Sequence, residues 1–145
     1  MKAKVINEGT ERTFALILDT GDEVVRTLER FAAGHALQAS RLTAIGAFER
    51  VTLGYFDWKS KEYERIPVNE QVEVLSLVGD IALDGEHPKL HVHAVLGRRD
   101  GSTIGGHLLE AKVRPTLEVL LIESPSYLRR VYDPASGLHL IDIGA

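Results

Sequence analysis

Three histidines, His91, His93 and His107, carry the chain's most legible chemistry. In Leu90-His91-Val92-His93-Ala94-Val95-Leu96, apolar residues alternate with the two imidazoles. Successive side chains on a strand point to opposite faces, so His91 and His93 share one face, about 7 Å apart at Cα. From that separation two ring nitrogens can reach one ion at roughly 2 Å each, and a third donor is needed. His107 lies beyond Arg98-Arg99-Asp100-Gly101-Ser102, which reads as a hairpin turn.

The length of that turn decides whether His107 joins the pair. A two-residue Asp100-Gly101 loop pairs Arg99 with Ser102 and sets Ala94 opposite His107, which then faces away. A three-residue Arg99-Asp100-Gly101 loop pairs Arg98 with Ser102 and stands His93 opposite His107, with Gly101 suited to the left-handed position such a loop requires. A bulge at Gly105-Gly106 is a second way of re-aiming His107. By one of these routes the three rings are expected to converge, within one chain or with help from a second subunit.

Three neutral imidazoles would hold a divalent ion and leave a coordination position open for water or a ligand oxygen. Zinc is the leading candidate, and nickel, copper, manganese and iron also accept imidazole. An enzyme built here would use the metal to activate water or polarise a carbonyl or phosphoryl oxygen, with a carboxylate moving protons. Glu73, Ser76, Asp80, Glu110 and Glu118 are the polar residues available for such support. The plainer reading of the same pattern is a polar stripe on a solvent-facing sheet. His35 suits the end of a helix, while His87 and His139 sit in turn-like, exposed settings.

Other chemistries lose their usual support. The chain has no cysteine, which excludes thiol nucleophiles and cysteine-ligated zinc and fits a reducing compartment. It has neither a phosphate-loop pattern nor a Gly-x-Ser-x-Gly nucleophile elbow. A net charge of −4 weighs against direct nucleic-acid binding. Lys59, Lys61 and Arg65 do lie among Tyr55, Phe56, Trp58 and Tyr63, but Asp57, Glu62 and Glu64 are interleaved, as on an ordinary hairpin surface. With no apolar run long enough for a membrane span and no export signal at the start, the expectation is a cytoplasmic protein.

The elements that must position the histidines read as follows. At 145 residues the chain is expected to form one domain, 1–145. Residues 13–18 read as a buried strand. Val24, Val25, Leu28, Phe31 and Ala32 recur at helical spacing over residues 22–33, with Asp19, Thr20 or Asp22 as N-cap and Gly34 as the stop. Then come strand-like runs at 42–48, 51–58, 63–68, 72–83, 89–97, 104–113, 117–122, 128–132 and 138–143. Turns are expected at Glu49-Arg50, Lys59-Ser60-Lys61 and 67–70. This is an α+β pattern, a largely antiparallel sheet with one main helix packed on it. Open edges invite self-association, with the apolar C-terminal strands as candidates for the contact.

Several ordered blocks resemble the PPC family, a domain shared by plants and prokaryotes and long of unknown function. They are Leu42-Thr43-Ala44-Ile45-Gly46-Ala47-Phe48 with Leu53-Gly54-Tyr55-Phe56-Asp57, then residues 72–79, then His91-Val92-His93 with Asp100-Gly101 and Gly105-Gly106-His107-Leu108. The resemblance covers nearly the whole chain and is to the stand-alone prokaryotic form. It implies a homotrimer and a three-histidine set suspected of binding metal. Plant members carry AT-hook segments that bind the DNA minor groove; this chain has no Arg-Gly-Arg-Pro core, so that activity does not travel with the fold. Two readings result: a homotrimeric protein that binds a metal or small ligand, and a regulatory, DNA-associated module in which the domain mediates assembly.

Overall fold

The computed structural model describes residues 1–144, and the backbone alone of residues 3–8. Its elements are β1 (Lys2–Glu8), β2 (Arg12–Asp19), α1 (Val24–Gly34), β3 (Ala39–Asp57), β4 (Glu62–Val68), β5 (Val72–Asp84), β6 (His87–Gly97), β7 (Thr103–Glu123), β8 (Arg129–Asp133) and β9 (Leu138–Asp142). The expected α+β class holds: a mostly antiparallel nine-stranded sheet with one helix. Among the described residues only the short β5–β8 ladder is parallel.

Within this sheet the pairings β3–β5, β5–β6, β6–β7 and β7–β3 form a closed circuit. Where the ladders overlap, as at His93 between β5 and β7 and at His107 between β6 and β3, the register is held from two sides. One set of apolar residues lines the interior of the circuit: Leu77 on β5, Leu90, Val92, Ala94 and Leu96 on β6, and Leu108, Ala111 and Val113 on β7 are all buried. Burying each of the larger side chains is worth about 1.5–3 kcal/mol, which fixes the phase of the alternation on β6 and leaves His91 and His93 facing out.

Helix α1 buries Val24, Leu28, Phe31 and Ala32 and packs against β6 and β7. Its N-cap is Glu23, one residue past the expected caps, whose Oε2 accepts from the Arg26 N–H at 2.7 Å. Glu23 is favoured because its other oxygen also accepts from the Ala111 N–H, tying the helix start to β7. His35 does close the helix: its backbone N–H reaches the Phe31 carbonyl and its ring Nδ1 lies 3.0 Å from the same oxygen.

Two expected breaks are absent. Glu49-Arg50 is not a turn, because β3 runs on from Ala39 to Asp57. The runs at 104–113 and 117–122 are one strand, β7. Both strands absorb the irregularity as register shifts in their shared ladder, at Gly46/Phe48, Phe48/Arg50 and Thr52/Leu53, where local turn-like composition meets partners on both sides. The start of the chain also contributes a strand, β1, paired with β2.

Candidate metal centre

The β6–β7 turn sets the site. Arg98 and Ser102 close it, with the Arg98 N–H donating to the Ser102 carbonyl at 2.8 Å and the Gly101 N–H donating to the Arg98 carbonyl at 2.9 Å. Gly101 has φ +82°, the left-handed conformation that glycine adopts without a Cβ penalty. This is the three-residue loop, and the ladder beyond it pairs Gly97 with Thr103 and, four steps on, His93 with His107. No register shift interrupts β6–β7, so Gly105-Gly106 contributes no bulge there. Gly106 instead permits a close approach: a Cβ on it would lie 2.9 Å from the Gly54 carbonyl on β3.

The three rings converge. Their centroids are 5.2 Å apart for His91 and His93, 5.1 Å for His91 and His107, and 5.5 Å for His93 and His107. One nitrogen from each lies within 4.8 Å of the others, so modest ring rotations would bring all three onto a common ion. His91 and His107 are half-buried and His93 is exposed, leaving one side of the cluster open.

Two of the three rings are biased toward their neutral forms. Burial, followed by repulsion from His91, His93, Lys89 and Arg130, lowers the His107 pKa to about 4. Burial also lowers that of His91, with Arg130 adding to the effect and Asp80 opposing it. Neutral imidazole is the ligating form, so the lowered values of His91 and His107 favour binding an ion. The His107 Nδ1 is buried with no hydrogen-bond partner among the described residues.

The supporting residues come from unexpected places. Tyr63 on β4 stacks on His107 with a centroid distance of 4.6 Å and an interplanar angle of 26°. Gly54, paired with Arg65 on one side and His107 on the other, makes this possible. A Cβ there would come within 2.8 Å of the Tyr63 ring. Arg130 on β8 is buried and ion-paired with Asp80, which stands opposite His91 on β5. His139, set aside from the sequence, is exposed as expected but lies on β9, with Nδ1 2.8 Å from Asp84. Together with Tyr63, Lys89, Leu138 and Leu140, it lines a cavity of about 210 Å³ bordered by His91 and His107.

Of the five polar residues proposed as support, only Asp80 adjoins the cluster. Glu110 is engaged with Arg65 and Thr52, and Glu118 sits opposite Ile45 on the far part of β7. Glu73 pairs with Gly97 near the other end of β6, and Ser76 sits in a second, mainly apolar depression. The missed residues, Tyr63, Arg130 and His139, had no local signal, since their neighbours in sequence are not their neighbours in space.

The Plants and Prokaryotes Conserved (PCC) domain model, the family called PPC above, matches residues 6–125. A metal-containing protein of Archaeoglobus fulgidus is 34% identical with a TM-score of 0.84, covering 97% of this chain and 96% of its own. A Bacteroides thetaiotaomicron protein, a candidate DNA-binding protein by name, is 28% identical with a TM-score of 0.89 and 99% of both chains covered. The bifunctional protein GlmU of a Synechococcus strain is 34% identical over 132 residues, 89% of this chain. The chain spans about a fifth (20%) of the length of that curated relative.

Proposed function

The chain belongs to the Plants and Prokaryotes Conserved domain family, and from that premise we propose that it is a homotrimeric protein binding a divalent metal through His91, His93 and His107. The observation that carries the reading is the convergence of three imidazoles from one uninterrupted hairpin, two of them half-buried beside an open cavity. The unpartnered Nδ1 of His107 fits it too: leaving a buried polar atom unsatisfied costs about 1–3 kcal/mol, and coordination at that nitrogen removes the cost. Kinship with the metal-containing archaeal protein agrees. Zinc is the leading ion on donor chemistry, since it favours imidazole and a four-coordinate shell. When bound, such an ion supplies Lewis acidity and an open position for an oxygen ligand. A chain without cysteine suits a reducing, cytoplasmic setting.

Assembly is supported by the outer face of the circuit. From His93 a cross-strand row continues through Val78, Thr43 and Leu120 to Ala15. Around it Ile45, Leu75, Val78, Val95 and Leu120 are exposed apolar side chains. A patch of this kind is what a subunit contact covers, and it begins beside the metal ligands. The expectation that the C-terminal strands form the contact has a weaker basis, although Val131, Tyr132 and Leu140 are exposed there.

The test is to replace all three histidines with alanine, then measure metal content by elemental analysis and mass by sedimentation, on protein without a histidine tag. Loss of metal from an intact trimer is the expected outcome; unchanged metal content sinks the metal reading. The name of the Bacteroides relative favours a DNA-associated module as the second reading. That reading predicts DNA affinity at moderate salt that falls steeply as salt rises.

A further inference from the structure

The cavity beside the histidines has a mixed wall, and the mixture specifies a ligand. Its lining brings His91 and His107 together with Leu138 and Leu140 from β9. Two cations stand at its margin. Lys89 precedes His91 by two residues on the same face of β6, and Arg130 is held from β8. The side chain of Arg130 is only 6% exposed. It is fixed by Asp80 and by the His139 carbonyl, while its Nε has no hydrogen-bond partner among the described residues.

Charge counting gives the sign of the occupant. Arg130 is balanced by Asp80, and Lys89 by Glu29 at 3.3 Å. Imidazole holds a metal ion in its neutral form, so a divalent ion on the three histidines would bring two positive charges against one further carboxylate of the lining, Asp84, and leave net positive charge in a half-buried setting. Such charge is expensive to bury without an anion. The size and the leucines give the rest. At about 210 Å³ the space is below the range of drug-sized pockets, and its apolar side suits a short hydrocarbon body.

We propose that this pocket binds a small organic carboxylate, its carboxylate toward the histidine cluster and Lys89 and its apolar body against Leu138 and Leu140. The inference rests on the metal reading. It assigns a specific task to the β8–β9 hairpin, which lies beyond the residues matched by the family model: the hairpin supplies the apolar wall and the buried cation.

The experiment uses zinc-loaded full chain, with zinc stoichiometry measured first and acetate, propanoate and benzoate then titrated calorimetrically alongside their neutral amides. Carboxylates should bind on the order of tenfold tighter than the amides, with benzoate the tightest, because charge and apolar contact both count. Leu140→Asp, at an exposed position, should weaken benzoate on the order of tenfold while zinc stoichiometry stays unchanged, and Leu140→Asn should weaken it less. Lys89→Gln should weaken all three carboxylates and leave the amides alone. Zinc bound at full stoichiometry with no preference for carboxylate over amide, or with benzoate affinity indifferent to Leu140→Asp, overturns the pocket assignment and leaves the metal site standing. Absence of zinc binding overturns the metal reading and this inference with it.

Discussion

His93 stands directly opposite His107 across the β6–β7 ladder, and both belong to strands whose other edges are also paired. The pairing is therefore held three ways: by the Arg99-Asp100-Gly101 loop, by β5 alongside β6, and by β3 alongside β7. It follows that the loop and the site can be perturbed separately. Gly101→Val forces a β-branched residue into φ +82° and should cost about 1–3 kcal/mol in urea unfolding. Metal affinity should change little, because β3 and β5 keep the register. A large loss of affinity with little loss of stability would show that the loop alone sets it.

Single ligand substitutions should be graded. His107→Ala removes a half-buried ligand that Tyr63 orients by stacking, whereas His93→Ala removes an exposed one. Each should lower zinc affinity at least about tenfold, and His107→Ala should do so more. Competition with a chromophoric chelator measures both, and equal losses would argue against a positioning role for Tyr63.

The metal-free protein should lose stability on mild acidification. The His107 pKa falls from an ordinary 6.5 to about 4 on folding, so between those values the unfolded chain binds more protons. Unfolding free energy then rises with pH across that window and is flat for this group below about 4. Partial exposure limits the contribution to on the order of 1–2 kcal/mol. His107→Gln should flatten the slope between pH 4 and 6.5 in urea titrations, and an unchanged slope would assign the effect to other groups.

Gly54→Ala should act on the site from behind. A Cβ there meets the Tyr63 ring at 2.8 Å and Leu109 at 3.2 Å, so the ring must leave His107 or β3 must shift. The cost should be about 1–3 kcal/mol. Tyr63→Leu in the same background should recover part of it, and a double-mutant cycle without coupling would show that the two residues do not share the contact.

Asp80→Asn should leave the buried Arg130 guanidinium without its carboxylate. A loss of about 2–3 kcal/mol is expected, since the aspartate itself keeps some exposure. Asp80→Asn with Arg130→Met should be less destabilised than the single change, by urea unfolding. Equal losses would mean that the ion pair is not what holds β8 to β5.

Part of this arrangement was legible in the chain and part was not. The alternation in Leu90-His91-Val92-His93-Ala94-Val95-Leu96 put two imidazoles on one face, and the choice between two loops reduced the third to a single question. α1 was equally plain, because five apolar residues at helical spacing leave one burying face. These are local facts: side-chain periodicity and turn chemistry act within a few residues. The turn-like look of Glu49-Arg50 misled for the same reason, since ladders on both sides override local preference.

What only the tertiary structure decided is everything that depends on which strands lie beside which. The loop-length question was settled by the ladder itself. The stacking of Tyr63 on His107, the Arg130–Asp80 pair and the presence of His139 in the cavity wall join residues 44, 50 and 48 positions apart (Tyr63 to His107, Asp80 to Arg130, His91 to His139). No periodicity spans such separations. They follow from burial of one continuous apolar interior, which closes β3, β5, β6 and β7 on themselves and turns the histidine face, with its charged and apolar neighbours, outward.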